Sequence, residues 1–181
     1  MKVLETDRLE LRRLTTGDSA FILELLNDEA WLRYIGDKGV RTLAGAKRYL
    51  ETGPIEMYER LGFGLYLVVR KSDGASIGIC GLIKRDVLED VDIGFAYLPP
   101  YRRHGYGREA ASAVLAHGAA DFGLKRIVAI TSPDNDASVR LLEGLGFRFE
   151  RMIDLGSQGV VRLFGVALGA RSAAGDAIGA R

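Results

Sequence analysis

The sequence predicts an α/β chain, with strands and helices in the order β-α-α-β-β-β-α-β-α-β-β. Three observations predict it. Near the start, Leu9 and Leu11 alternate with charged residues, and Phe21, Ile22, Leu25 and Leu26 then recur at helical spacing. At the centre, an apolar stretch from Val91 to Leu98 runs through a basic, glycine-rich turn into a helix-patterned run from Arg108 to Phe122. Near the end, Phe147 to Leu155 and Val160 to Leu168 flank Gly156-Ser157-Gln158-Gly159, the pattern of a closing hairpin.

The elements follow from local signals. Leu9, Leu11 and Leu14 mark the first strand, and Thr15-Thr16-Gly17-Asp18 supplies N-caps for the helix behind it. Trp31 to Tyr34 reads as an irregular or short helical piece. The next helical pattern, Thr42 to Leu61, is interrupted at Gly53-Pro54. Proline there removes a hydrogen bond and clashes with the preceding turn, so two short helices are expected. Gly64 to Val69 and Ala75 to Ile83 form a strand pair around Ser72-Asp73-Gly74. Arg126 to Thr131 is a further strand, and a helix from Asp136 to Leu145 stops at Gly146, a favourable residue just past a helix end.

Size and composition set limits. The 181 residues suit one domain, residues 1–168, followed by an Ala/Gly/Ser-rich tail, 169–181, without periodicity. A chain 48% hydrophobic and 27% charged has the material for a core. A net charge of +1 gives no electrostatic reason to expect nucleic acid or an anionic membrane as partner. No stretch approaches a membrane span, and Met1-Lys2-Val3-Leu4 runs at once into Glu5, Asp7 and Arg8 rather than a secretory leader. One cysteine, Cys80, within the apolar run Ile77 to Leu82, reads as a buried inert thiol and suits a reducing cytoplasm. No metal site is expected, and the chain can be a monomer or a homodimer.

The central turn, Arg102-Arg103-His104-Gly105-Tyr106-Gly107, carries the chemistry. Strand, glycine-rich turn and helix together make an anion cradle. Glycine lets the backbone approach a phosphate closely, and free N–H groups at the positive end of the helix dipole hold it. Arg102, Arg103 and Arg108 add fixed positive charge. His104 suits either a phosphate contact or a solvated loop. Two other readings compete. Gly105-x-Gly107-x-x-Ala110 satisfies a loose dinucleotide fingerprint, but Pro99-Pro100-Tyr101 and three basic residues separate strand from glycine, and about sixty residues remain after the helix, too few for that fold. The other is a plain helix cap with surface arginines. A nucleotide P-loop is excluded, since no Gly-Lys-Ser/Thr occurs.

Arg102-x-x-Gly105-x-Gly107 resembles the acetyl-CoA signature of the GNAT superfamily of N-acetyltransferases. The wider run from Asp92-Ile93-Gly94-Phe95 to Gly107 is similar to the branch holding the ribosomal-protein N-terminal acetyltransferases (RimJ/RimL-like). Glu5-Thr6-Asp7-Arg8-Leu9-Glu10-Leu11-Arg12 is similar to that branch's opening strand. Asn135-Asp136-Ala137-Ser138, ending in Leu145-Gly146-Phe147, is similar to its last helix. The resemblance spans residues 5 to 168.

It implies a central mixed, mostly antiparallel sheet of about seven strands with helices on both faces. Acetyl-CoA is the implied co-substrate, bound where two parallel strands, Val91–Tyr97 and Arg126–Thr131, splay apart. Backbone groups near Phe95 and Tyr97 would then pair with the pantetheine arm, and one N–H would polarise the thioester carbonyl. The pyrophosphate would lie on the N–H groups from Arg103 to Arg108, Tyr106 among them. An amine, of a protein N-terminus or a small molecule, would attack directly. Asp92, where similar enzymes often carry Glu, is the implied base, unless it is a solvated strand-edge carboxylate. This chain departs from many family members in having no tyrosine after Tyr106, so Ser138 stands in for the acid that protonates the CoA thiolate. Asn135 would bind pantetheine or simply cap its helix. Trp31, Tyr34 and Tyr58 shape the amine site or pack in the core; His117 is structural or on the surface. A GNAT-fold module that binds acyl-CoA without turnover is the alternative.

Overall fold

The computed structural model describes residues 1–156 and 159–169, and its eight strands form a single sheet. In chain order the elements are β1 (Lys2–Glu5), β2 (Leu9–Arg13), α1 (Ser19–Leu26), α2 (Glu29–Tyr34), α3 (Leu43–Leu50), a π-turn (Glu51–Ile55), α4 (Glu56–Leu61), β3 (Leu65–Arg70), β4 (Ser76–Ile83), β5 (Asp92–Tyr97), α5 (Tyr106–Phe122), β6 (Arg126–Thr131), α6 (Asp136–Gly144), β7 (Arg148–Asp154) and β8 (Val160–Ala167). The sheet order is β1-β2-β3-β4-β5-β6-β8-β7. Every neighbouring pair is antiparallel except β5 and β6.

Strand alternation divides the core. Tyr66, Val68, Cys80 and Leu82 send their side chains to one face, where Ala110, Ala111 and Val114 of α5 cover them. Leu67 and Ile79 face the other way, onto Ile22, Leu25, Ala46 and Leu50 of α1 and α3. Cys80 is fully buried, and burial pushes its thiol up to about 12, so it is an inert core group.

Two expectations need correction and a third is refined. The sheet has eight strands, not seven: Lys2–Glu5 pairs with β2 in a hairpin. Four residues with charged ends carry too short a pattern to show periodicity. Gly53-Pro54 does separate two short α-helices, α3 and α4, but through a π-turn rather than a break in the helical path. Leu50, Ile55 and Glu56 all keep right-handed helical angles, and the chain passes through the π-turn without stopping. The wider turn accommodates the proline, whose missing N–H and ring would conflict with a regular α-turn. The central helix begins at Tyr106 rather than Arg108, so the second glycine lies inside its first turn. The expected tail and the expected turn at Ser157-Gln158 lie outside the described residues, apart from Gly169.

Candidate active site

The parallel pair β5/β6 opens almost as soon as it forms. Its register contains one partnered position, Asp92 opposite Val128, and the Val128 N–H donates to the Val91 carbonyl at 3.0 Å. On its other side β5 pairs with β4 along its whole length, from Asp92 to Tyr97, and the Leu98 N–H continues to the Ile77 carbonyl. Alternation therefore turns the main-chain groups of Phe95 and Tyr97 toward the gap. The gap widens into a cleft of about 730 Å³ between β5, α5, β6 and α6.

At its floor lies the basic turn. Gly105 is the N-cap of α5 and no side chain caps that helix. The first N–H groups of a helix have no partner within it, so Tyr106, Gly107 and Arg108 offer free donors to the cleft. Gly105 has φ +81° and Arg103 φ +64°. Left-handed backbone at a non-glycine residue costs about 1 kcal/mol, so Arg103 holds this angle because the loop demands it. Tight turns of this kind can aim successive N–H groups to one side, a concavity suited to phosphate.

Neighbouring side chains fix the loop. Arg8 donates from Nη1 to the His104 carbonyl at 3.0 Å and from Nε to Glu109 at 2.7 Å, and its guanidinium lies 4.6 Å over the Tyr106 ring. Thr6 Oγ1 donates to Glu109 at 2.6 Å. The Thr6-Asp7-Arg8 turn thus clamps the start of α5. Sequence similarity marked this segment as an opening strand; its service to a loop some hundred residues away is a tertiary fact.

The predicted residues are brought together unequally. Arg103, Gly105, Tyr106, Gly107 and Arg108 line the cleft, as do Phe95, Tyr97, Asn135 and Ser138. Arg102 lines it too, but its Nε donates to the Tyr97 carbonyl at 2.8 Å and its Nη2 pairs with Asp28. That carboxylate also caps α2 through the Ala30 and Trp31 N–H groups. Arg102 therefore ties the end of β5 to the helical wall and occupies the Tyr97 carbonyl. His104 stacks on Tyr106, ring centres 5.8 Å apart, outside the lining. Asn135 caps α6, its Oδ1 accepting from the Ser138 N–H at 3.2 Å. Arg140, on the exposed turn of α6, also lines the cleft; a lone arginine on a helix gave the sequence no signal of it.

Behind the cleft lies a second cavity of about 330 Å³, bounded by α2, the π-turn, β5 and β6. The two share Trp31, Tyr34, Ile35, Phe95, Ile130 and Thr131. Ser132 Oγ donates to the Tyr34 carbonyl at 2.8 Å, joining β6 to α2 at this junction. Asp92 lines the inner cavity and is 1% exposed. Its oxygens accept from Arg85 Nε at 3.1 and 3.2 Å. Burial raises its pKa above the usual carboxylate range, and Arg85 opposes that rise without cancelling it. Asp92 is thus no solvated edge group. Gly94 leaves less room than its size suggests, since a Cβ there would fall 2.8 Å from Ile83 Cδ1. Tyr58 belongs to the core: its hydroxyl accepts from the Leu14 N–H at 3.1 Å and donates to the Leu65 carbonyl.

A basic, glycine-rich turn opening a helix, a splayed parallel pair and a buried carboxylate beyond the splay are the arrangement that the resemblance implies for an acyl-CoA-dependent transferase. Residues 8–148 match the model of the acetyltransferase (GNAT) domain family. The chain is 31% identical over 153 residues to the uncharacterized N-acetyltransferase YoaA of Bacillus subtilis (strain 168), covering 83% of this chain and 85% of that protein. Among solved structures it is similar to RimL, a ribosomal L7/L12 α-N-protein acetyltransferase in complex with coenzyme A, with a TM-score of 0.79, 17% identity, and 93% and 98% of the two chains covered. It is also similar to a spermidine N-acetyltransferase from Vibrio cholerae in complex with CoA and spermine, with a TM-score of 0.74, 18% identity, and 90% and 96% covered. At these identities the two structures speak for the fold.

The chain belongs to the GNAT acetyltransferase family. It is an N-acetyltransferase, and acetyl-CoA is its co-substrate. Among the described residues no cluster of side chains could hold a metal ion, and no helix is long and apolar enough to cross a membrane.

Proposed function

We propose that the protein transfers acetyl from acetyl-CoA to a primary amine that enters through the inner cavity and attacks at the junction beside Phe95. The shared wall of the two cavities is the observation that carries this reading: a phosphate cradle opens at one end, and Asp92 lies at the other. Likeness to RimL supports a protein N-terminal α-amine as acceptor, and likeness to the spermidine enzyme supports a small amine.

Acetyl-CoA supplies an activated thioester. The cradle from Arg103 to Arg108 holds its pyrophosphate, with Arg140 adding charge. The Phe95 main chain and the Tyr97 N–H align the pantetheine arm, and one of these N–H groups stabilises negative charge on the carbonyl oxygen. Asp92 takes the proton of the attacking amine, directly or through water; its raised pKa makes it a stronger base than an exposed carboxylate. Ser138, on the first turn of α6, returns a proton to the departing sulfur. Tyr34, from the opposite wall, is a second hydroxyl-bearing residue at the junction.

Calorimetry with acetyl-CoA, followed by amine addition and detection of free CoA thiol, tests the reading. Binding with amine-dependent release is expected; binding without release from any amine would favour the non-catalytic module. Two variants probe the assignments. Arg8→Ala is expected to weaken acetyl-CoA binding about tenfold, because the charged hydrogen bond that holds the loop is lost. Unchanged affinity would show that the loop keeps its shape unaided. Ser138→Ala is expected to lower kcat by a factor of about ten or less, since a thiolate leaves readily without help. A fall beyond about a thousandfold would require a larger role than proton return.

A further inference from the structure

The inner cavity has an excess of positive charge that the transfer reaction does not require. Its charged lining is Lys38, Arg85 and Asp92. Asp92 engages only Nε of Arg85, and the two terminal guanidinium nitrogens have no partner among the described residues. Lys38, in the loop between α2 and α3, likewise has no ion pair among the described residues. Desolvation of its amine at the cavity lining lowers its pKa and Arg85 lowers it further, while the residue as a whole stays exposed. The nearby carboxylates are already engaged: Asp37 pairs with Arg41 at 2.5 Å, and Asp134 with Arg33 at 3.0 Å. Two cations thus face one cavity against one carboxylate. Once Asp92 accepts a proton, that single negative charge is neutralised as well.

Such a cavity repels a polycation and rewards an anion. Trp31, Tyr34 and Tyr49 supply an apolar and aromatic wall beside the charges. Resting on the acceptor reading above, we propose that the acceptor is a primary amine carrying a carboxylate, held by Lys38 and the terminal nitrogens of Arg85. The amine end then points to the junction at Phe95. The carboxylate belongs either to a free α-amino acid or to an acidic side chain next to the N-terminus of a peptide.

The test compares matched acceptors in the CoA-release assay: phenylalanine, its amide, phenethylamine, spermidine, and peptides beginning Ala-Glu or Ala-Gln. Acceptors with the carboxylate should exceed their neutral partners by about tenfold or more in kcat/KM. Preference for the amino acid over its amide assigns a free amino acid, and preference confined to Ala-Glu over Ala-Gln assigns a peptide. Lys38→Ala should reduce the preference to about threefold or less while leaving acetyl-CoA affinity unchanged, and Lys38→Glu should reverse it. Lys38 is exposed, so neither change threatens folding. Calorimetry on CoA-loaded protein gives a second readout independent of turnover: N-acetylphenylalanine should bind more tightly than its amide, and lose that advantage in Lys38→Ala. Equal use of neutral amines or preference for spermidine would overturn the inference while leaving the transferase intact. If no amine released CoA, the acceptor reading would fall. The charge site would then stand or fall on the calorimetric comparison alone.

Discussion

Gly105→Glu is expected to reduce acetyl-CoA affinity at least about a hundredfold, with the fold retained. Gly105 has φ +81°, a region where a side chain is strained by about 1 kcal/mol. The larger effect is charge. A carboxylate on the N-cap of α5 can itself accept from the free N–H groups of Tyr106, Gly107 and Arg108, and so competes with pyrophosphate for the same donors. It also repels what it does not displace. A Cβ at this position would stand 3.3 Å from Arg8 Nη2, so the new side chain would in addition draw Arg8 from the His104 carbonyl. Because an acidic N-cap favours the helix, the melting temperature should change little. Gly105→Ala separates the causes, carrying the strain without the charge, and should lose about tenfold or less. Titration of both variants decides the matter: a Gly105→Glu protein with wild-type affinity would mean that this turn does not hold the pyrophosphate.

The second large effect is expected at Asp92. Asp92→Asn should lower kcat/KM by about a hundredfold or more, the usual contribution of a positioned base. Affinity for acetyl-CoA should persist, because Asp92 lies in the inner cavity and outside the cleft proposed to hold the cofactor. The pH profile gives the sharper reading. A base must be deprotonated to act, so the wild-type rate should fall as pH drops through the pKa of Asp92. Burial raises that pKa against the opposing pull of Arg85, which shifts the acidic limb upward from that of an exposed aspartate. In Asp92→Asn this limb should disappear. An unchanged rate and an unchanged limb would remove Asp92 as base and leave it as the counter-ion of Arg85.

Much of the fold was legible in the sequence. The strand at 126–131 and the helix from 136 are local events, set by apolar runs, an Asn cap and a glycine stop. So was the strand–turn–helix segment proposed as the cradle, because its strand, glycine-rich turn and helix are contiguous and a helix start leaves its first N–H groups free. Lys2–Glu5 escaped because a short strand is held by its partner and not by its own pattern. The π-turn at Gly53-Pro54 escaped because proline forbids the regular helix but permits the wider turn, and packing of Ala46, Leu50 and Tyr58 on both sides selects it.

The sequence by itself therefore determined the order of the elements, the position of the basic, glycine-rich turn that opens α5 and the inertness expected of Cys80. These depend on backbone angles and on burial patterns that adjacent residues dictate. The tertiary structure alone decided what Arg102, Arg8 and Asp92 touch. Arg102 looked like a phosphate ligand and is tied to Asp28 and the Tyr97 carbonyl. Arg8 looked like part of a strand and braces the cradle. Asp92 could have been a solvated edge residue, yet it is buried with Arg85 in a cavity whose other cation, Lys38, comes from a separate loop. Electrostatics depends on distance in space and on the water excluded around each group, and neither quantity is written along the chain.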